Sequence, residues 1–201
     1  MRYRQRFSQI SLKALIMGAA ILSGLPLEQA FAHLYLKEKK WELRTGYAYQ
    51  YTNESRPNNF QIIPVLPSVA VSLTDTLGSS WYKGRFVWNP ELLLAAFTHP
   101  YVRPMYGITP LQFSYTLEPK GRLSPYLFIG AGILWSNINR RETRSYTNFN
   151  VQGGIGTRYR ITERMSLILE YRHIHISNAG LHEDNSGINT HTFLTGISFK
   201  E

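Results

Sequence analysis

Cysteine is absent from the 201-residue sequence, and this absence excludes two kinds of stabilising centre. Without thiols the chain can form neither a disulfide framework nor a thiolate metal site. Long apolar runs are missing too: Ala14–Leu25 is well short of the roughly 20 residues that a transmembrane helix needs, and Glu91–Phe97 is shorter still. A membrane span of this chain would therefore have to be built from strands.

The first 32 residues have the three parts of an export signal. Arg2, Arg4 and Arg6 form a basic start, an apolar stretch follows, and Ala30-Phe31-Ala32 matches the small-residue pattern of a cleavage site. A retained transmembrane helix is the alternative, but the apolar stretch is too short for one. We predict that residues 1–32 are a cleaved signal peptide and that residues 33–201 form one exported domain.

After the signal, segments rich in aromatic and β-branched side chains alternate with polar connections that contain turn-forming residues. This is the sequence pattern of a transmembrane β-barrel, whose strands have about ten residues each. The eight predicted strands are Trp41–Thr52, Phe60–Thr74, Trp81–Thr98, Met105–Leu117, Ser124–Asn137, Phe149–Ile161, Met165–Asn178 and Asn189–Lys200.

The sixth of these segments has the clearest alternation. Val151, Ile155 and Tyr159 share one face, whereas Gln152 and Arg158 share the other. A periplasmic β-sandwich would alternate in the same way, but an even strand number, arginines on the polar face and Tyr or Trp near segment ends favour a barrel. We predict an all-β, eight-stranded, antiparallel, up-and-down transmembrane β-barrel in the outer membrane.

The formal net charge of +9 is compatible with anionic partners. Because the positive charges are dispersed along an exported chain, anionic lipid head groups are favoured over nucleic acid. The glycines of Gly153-Gly154-Ile155-Gly156 lie inside a strand pattern and do not form a phosphate-binding loop. We therefore expect no nucleotide and no other cofactor.

One polar cluster interrupts an otherwise apolar face. Residues two apart on a strand share a side, so His175 and Ser177 lie on the same side as Tyr171, and an antiparallel last strand brings Asn189 near His175. Polar groups on a lipid-facing surface are unfavourable unless they lie at the interface or serve a function. This residue set suits acyl transfer by a serine that a histidine activates. A histidine that is merely hydrogen-bonded near the rim is the alternative.

The run His175-Ile176-Ser177-Asn178-Ala179-Gly180-Leu181, with the later Asn185-x-Gly187-Ile188, resembles the signature of the PagL family of lipid A 3-O-deacylases. The resemblance implies an eight-stranded outer-membrane barrel that hydrolyses the ester-linked acyl chain at the 3 position of lipid A, the membrane anchor of lipopolysaccharide. It also implies that His175 is the general base and Ser177 the nucleophile. Asn185, Asn178 and the Gly180 backbone are then candidates for stabilising the oxyanion or orienting the substrate.

The sequence departs from the family pattern at the third member of the triad. The family has glutamate twelve residues after the serine, where this chain has Asn189. An asparagine can orient the imidazole but cannot offset an imidazolium charge. Glu183 and Asp184 are alternative acids, whereas Glu170 should point to the opposite face of its strand.

Two rival interpretations remain at this stage. His173, His175, His182 and His191 are close in sequence and could hold a metal ion, although their spacing matches no regular zinc motif. The second rival is a structural or lipopolysaccharide-binding barrel that has the fold but no turnover. In that case Asn189 would mark the lost activity.

Overall fold

The computed structural model describes residues 38–51, 59–119, 121–137 and 142–201, so the predicted signal peptide at 1–32 lies outside the described residues. Among the described residues, no helix is long and apolar enough to cross a membrane. The described part contains nine strands and a single 3-10 turn at Ser80–Tyr82. The strands are β1 Lys39–Gln50, β2 Gln61–Ser72, β3 Gly84–Trp88, β4 Glu91–His99, β5 Arg103–Leu117, β6 Leu123–Ser136, β7 Thr147–Arg160, β8 Met165–Ser177 and β9 Ile188–Lys200.

These strands close into a ring with eight positions. Apart from β3 and β4, which do not pair with each other, each strand pairs antiparallel with its neighbour in the chain, and β1 pairs with β9 to close the sheet. The short strands β3 and β4 follow one another in a single position, since both lie between β2 and β5. The predicted eight-stranded barrel is confirmed, and a two-sheet sandwich is excluded because the sheet has no free edge.

The third predicted strand, Trp81–Thr98, was wrong as a continuous element. Pro90 has no N–H to donate to a ladder, and the sheet is interrupted there: Asn89 N–H donates to Gln112 O over 2.8 Å, while Trp88 Nε1 donates to Pro110 O over 2.7 Å. The register of β5 also shifts between Ile108 and Leu111. The interruption at Pro90, beside Pro110 of β5, therefore divides this position into β3 and β4.

Alternation along each strand separates an apolar outer surface from a polar interior. Val151, Ile155 and Leu169 are more than 60% exposed, whereas Gln152 and Arg172 are at most 4% exposed. Aromatic side chains lie outward near both ends of the barrel, as expected of rings at a membrane interface. They include Trp41, Trp81, Tyr159 and Phe199 at one end and Tyr49, Tyr51, Tyr101, Tyr106 and Tyr146 at the other.

Side chains occupy the middle of the interior and one of its ends. The middle contains an ion-pair network in which three arginines bind three glutamates, namely Arg44, Arg158 and Arg172 with Glu42, Glu91 and Glu170. Above it lies an apolar cluster that includes Leu66, Phe97, Leu134, Ile176 and Ile188. Each charge of this network has an oppositely charged partner, which is the condition under which charges are tolerated away from water.

Strand direction gives the barrel two distinct ends. Glu38 and Glu201 flank β1 and β9 at one end, which we call the termini end, together with the connections 73–83, 118–122 and 161–164. The opposite end, which we call the loop end, carries the connections 51–60, 100–102, 137–146 and 178–187. The residues of the predicted site lie on β8, on β9 and in the last of these connections, and thus at the loop end.

Candidate active site

His175 and Asn189 face each other across the pair of strands β8 and β9. They are direct partners in the antiparallel register, and His175 Nδ1 lies 2.8 Å from Asn189 Oδ1. Their chain neighbours Ile174, Ile176 and Ile188 point inward and pack in or against the apolar cluster. The period of two therefore turns both polar side chains to the outer surface, where each is half-buried.

Ser177 is the last residue of β8 and lies opposite Phe149 of β7. It shares the outer side of the strand with His175, as the sequence predicted. Within the described part of the chain, its hydroxyl forms no hydrogen bond with the His175 imidazole. Residues two apart on a strand are separated by roughly 6.6 Å of rise, so a direct contact needs side-chain rotation. Such contacts often tighten only when substrate is bound.

The connection after Ser177 is wound around the buried side chain of Asn178. Asn178 Nδ2 donates to His182 O over 3.3 Å and to Asp184 O over 3.0 Å, and its Oδ1 accepts the Gly180 N–H over 2.9 Å. Ala179 and Gly180 have φ values of 51° and 83°, and Leu181 N–H donates to Asn178 O. This is a tight turn with two left-handed residues, which explains a glycine at position 180.

Of the three residues that were predicted to stabilise the oxyanion, two already use their donors within the loop. The Gly180 N–H and both ends of the Asn178 amide are already bonded inside the turn. Asn185 Oδ1 accepts the Asn178 N–H over 2.8 Å, and within the described residues its Nδ2 has no acceptor. The Asn185 Nδ2 group is therefore a donor that the loop does not use for itself, whereas Asn178 and Gly180 hold the loop in shape.

Gly187 leaves room for the His175 ring, which the sequence did not predict. Its φ is 74°, and a Cβ at this position would lie 2.8 Å from His175 Cε1. Its N–H donates to Glu142 O over 3.0 Å, which joins the loop to the preceding connection. The signal was a glycine directly before a strand, but its distance from the imidazole depends on how β8 and β9 pair, which one residue cannot reveal.

Glu170 and Asp184 have other partners, and Glu183 is exposed. Glu170 points into the barrel, as predicted, and binds Arg44 over 2.8 Å. Asp184 binds Arg144 over 2.8 Å. Within the described ranges, no carboxylate is hydrogen-bonded to His175, and Asn189 is the side chain that contacts its imidazole nitrogen.

A cluster of histidine and tyrosine rings lies on the outer surface beside this pair. His191 Nδ1 lies 2.6 Å from the Tyr171 hydroxyl, and the His191 ring stacks on Tyr51 with centroids 4.3 Å apart. His173 lies 6.0 Å from His191, ring centre to ring centre. The described residues contain no group of three or more His, Cys, Asp or Glu side chains arranged for a metal ion. His173 and His191 contact the ring of Tyr51.

A closed barrel of eight strand positions with an apolar outer surface and aromatic rings at both ends defines the class of outer-membrane β-barrels. Residues 38–198 match the family model described as "Lipid A 3-O-deacylase (PagL)". The chain belongs to this family, and the resemblance seen in the sequence is confirmed.

Solved structures support the fold. The crystal structure of the outer membrane enzyme PagL matches with a TM-score of 0.58 and 17% identity over 78% of this chain and 97% of that one. The crystal structure of Neisserial surface protein A also matches with a TM-score of 0.58, at 14% identity over 81% of this chain and 97% of that one. No curated protein sequence matches the chain.

Proposed function

We propose that this protein removes the 3-O-linked acyl chain from lipid A by ester hydrolysis, with Ser177 as nucleophile, His175 as general base and Asn189 as the orienting residue. The observation that carries the proposal is the hydrogen bond between His175 and Asn189 on the outer surface, two residues from Ser177. Membership of the deacylase family supports the reaction class and the lipopolysaccharide substrate. No cofactor is needed for this chemistry.

Asn189 determines which nitrogen of His175 acts as the base. With Oδ1 as the acceptor, Nδ1–H donates to it, and Nε2 keeps a free lone pair. Nε2 takes the Ser177 hydroxyl proton while the serine oxygen attacks the ester carbonyl carbon. The Asn185 amide is the donor available for the oxyanion that forms.

The remaining steps return the enzyme to its starting state. The tetrahedral intermediate collapses, the bond to the 3-oxygen of the sugar breaks, and imidazolium protonates the departing oxygen. The acyl group is then bound to Ser177 as an ester. Water, deprotonated by His175, attacks this ester; the bond to the Ser177 oxygen breaks, the imidazolium returns the proton to that oxygen, and a free fatty acid is released.

The position of the residues suits a substrate that is already in the membrane. Outer-membrane barrels have short periplasmic turns and longer extracellular loops. Three of the four connections at the loop end have ten residues, whereas two of the three at the termini end have four or five. This favours the loop end as the outward one, where lipopolysaccharide occupies the outer leaflet. His175 and Asn189 lie on the lipid-facing side near this end. A lipid A acyl ester can reach them laterally, without entering the interior.

The test is mass spectrometry of lipid A after incubation with the purified, refolded protein in detergent. The wild-type protein should remove one hydroxyacyl chain, whereas Ser177→Ala and His175→Ala should each leave lipid A unchanged. Both variants should still fold into a heat-modifiable barrel, because neither side chain belongs to the interior. Persistent activity in Ser177→Ala would rule out this nucleophile.

A barrel that binds lipopolysaccharide without turnover is the second candidate, and the neutral Asn189 favours it because the imidazolium has no charged partner. Unchanged lipid A with the folded wild-type protein, together with saturable binding of lipopolysaccharide, would support this candidate instead.

A further inference from the structure

The termini end of the barrel contains a cavity of about 300 Å³ that is remote from the outer-surface site. This volume is at the lower limit of ordinary ligand pockets. Hydroxyl groups line part of the wall, contributed by Ser72, Thr116, Ser124, Ser166 and Ser198. The rest of the wall consists mainly of charged side chains.

Positive charge dominates the lining of this cavity. Its seven cationic residues are Lys40, Arg85, Arg122, Arg158, Arg160, Arg164 and Lys200, and its three acidic residues are Glu38, Glu118 and Glu163. The lining therefore carries four more positive than negative charges. A concave surface of one sign, with walls of low dielectric constant, concentrates ions of the opposite sign.

Two of the acidic residues, Glu38 and Glu118, already form ion pairs with cationic residues of the lining. Glu38 accepts from Arg85 over 2.6 Å and from Lys40 over 3.0 Å, and Lys200 lies 3.5 Å away. Burial raises the pKa of Glu38, but Lys40, Arg85 and Lys200 outweigh it and lower the pKa to about 2. Glu118 binds Arg85 from the other side.

Three arginines on the wall have no such partner. Among the described residues, no carboxylate lies within ion-pair distance of Arg122, Arg160 or Arg164, although Glu163 is on the same wall. All three residues are exposed and line the cavity, so their side chains can turn toward a ligand. Arginine presents two parallel N–H donors that match the spacing of phosphate oxygens.

The ion-pair network lies at the inner end of the cavity. Arg158 lines the cavity and binds Glu42 over 2.8 Å, and beyond it the ion-pair network fills the interior. An anion that enters from the termini end therefore stops at this floor. The arrangement suits binding and not conduction.

We propose that this cavity binds a phosphate-bearing anion, held by Arg122, Arg160 and Arg164 and by the serine hydroxyls. The ligand would be either a soluble phosphate compound or the head group of a phospholipid in the adjacent leaflet, since both present the same oxygens. The site does not depend on the deacylase site, which lies at the opposite end of the barrel.

Isothermal titration calorimetry with inorganic pyrophosphate tests the proposal. The full-length mature protein is refolded in dodecyl maltoside at low ionic strength, because exposed charges are screened by salt. We expect saturable binding of one pyrophosphate per chain, weakened about tenfold by Arg160→Gln and by Arg164→Gln, as for the loss of one charge-assisted hydrogen bond.

Arg103→Gln is the matched control, because Arg103 is an exposed arginine at the loop end. It should bind pyrophosphate like the wild type, and all variants must migrate as heat-modifiable barrels. Absence of saturable binding by the wild type would overturn the proposal. An equal loss of affinity in Arg103→Gln would overturn it too, because the effect would then come from net charge alone.

A second arm of the experiment distinguishes the two sources of phosphate. The titration is repeated in nanodiscs of phosphatidylcholine with and without phosphatidylglycerol. A head-group ligand predicts that phosphatidylglycerol weakens pyrophosphate binding to the wild type and does not alter the residual binding to Arg160→Gln. A soluble ligand predicts the same dissociation constant for the wild type in both bilayers.

Discussion

Replacing Asn189 with aspartate changes the charge beside His175 with almost no change in shape. The aspartate side chain has the size of asparagine, so a carboxylate oxygen can take the place of Asn189 Oδ1, 2.8 Å from His175 Nδ1. The amide accepts the Nδ1–H bond but leaves the imidazolium of the transition state without a counter-charge. We therefore expect Asn189→Asp to increase the rate of lipid A deacylation.

The size of this increase follows from the distance. At an effective dielectric constant of about 20, two full unit charges about 3 Å apart interact by roughly 5.5 kcal/mol. Only part of this acts on catalysis, because the imidazolium charge is incomplete in the transition state and both side chains are half-buried. Retaining about one third leaves about 2 kcal/mol, which corresponds to a rate increase of about thirtyfold.

Initial rates of deacylation, followed by mass spectrometry of lipid A, provide the assay. Asn189→Ala completes the series. It removes the acceptor for Nδ1–H, so the tautomer with a free Nε2 lone pair is no longer favoured, and the rate should fall about tenfold. Ser177→Ala gives the background rate. Heat-modifiable migration shows that each variant is folded.

Two results would contradict this reasoning. Equal rates for the wild type, Asn189→Asp and Asn189→Ala would mean that Asn189 does not orient His175. A rate for Asn189→Asp below that of the wild type would mean that the amide is the adapted group at this position and that its N–H donors are required. Asn189→Glu, which restores the residue of the family pattern, should increase the rate as well.

Three further predictions concern other parts of the barrel. Gly187→Ala should lower activity about tenfold without unfolding the barrel, because the new Cβ meets His175 at 2.8 Å at a φ of 74°; Gly121→Ala, with no atom within 4 Å, should leave initial rates unchanged. Arg172→Leu should lower the free energy of unfolding in urea by about 3 to 5 kcal/mol, since Glu91 and Glu170 lose a buried partner. Glu38, with a pKa of about 2 against 4.5, stabilises the barrel fully above pH 4.5 and loses this effect as the pH falls toward 2. A smaller drop in urea midpoint between pH 5 and 3 in Glu38→Gln would verify this.

The strands could be predicted from the sequence because consecutive side chains of a barrel strand point alternately to the lipid and to the interior. Alternation along β7 therefore predicted both the element and its orientation, and Val151 and Gln152 lie as expected. The interruption between β3 and β4 was missed for a physical reason: one proline is compatible with an edge or a bulge, and Pro90 breaks the ladder together with Pro110 on the neighbouring strand. The strand pairing that brings these two prolines side by side cannot be predicted from either segment alone.

In the candidate site, too, the strand neighbours could be predicted from the sequence, whereas the loop contacts could not. His175 and Asn189 could be brought together from the sequence, because strand period and antiparallel pairing determine their neighbourhood. The roles within the loop could not, because they depend on which donors and acceptors the loop uses for itself. Gly180 illustrates this: its N–H was a candidate for the oxyanion, and in the structure it donates to Asn178 Oδ1.

The separation of the two faces of β8 has a consequence for how loss of activity should be interpreted. Glu170 and Arg172 point inward and belong to the ion-pair network, whereas Tyr171, His173, His175 and Ser177 point outward on the same strand. A substitution on the inner face removes a partner from a buried charge and so acts first on folding. A substitution on the outer face leaves that network intact, because consecutive side chains lie on opposite sides of the sheet. Activity and unfolding free energy should therefore vary independently along this one strand, and a fall in activity with unchanged stability identifies an effect on the chemistry itself.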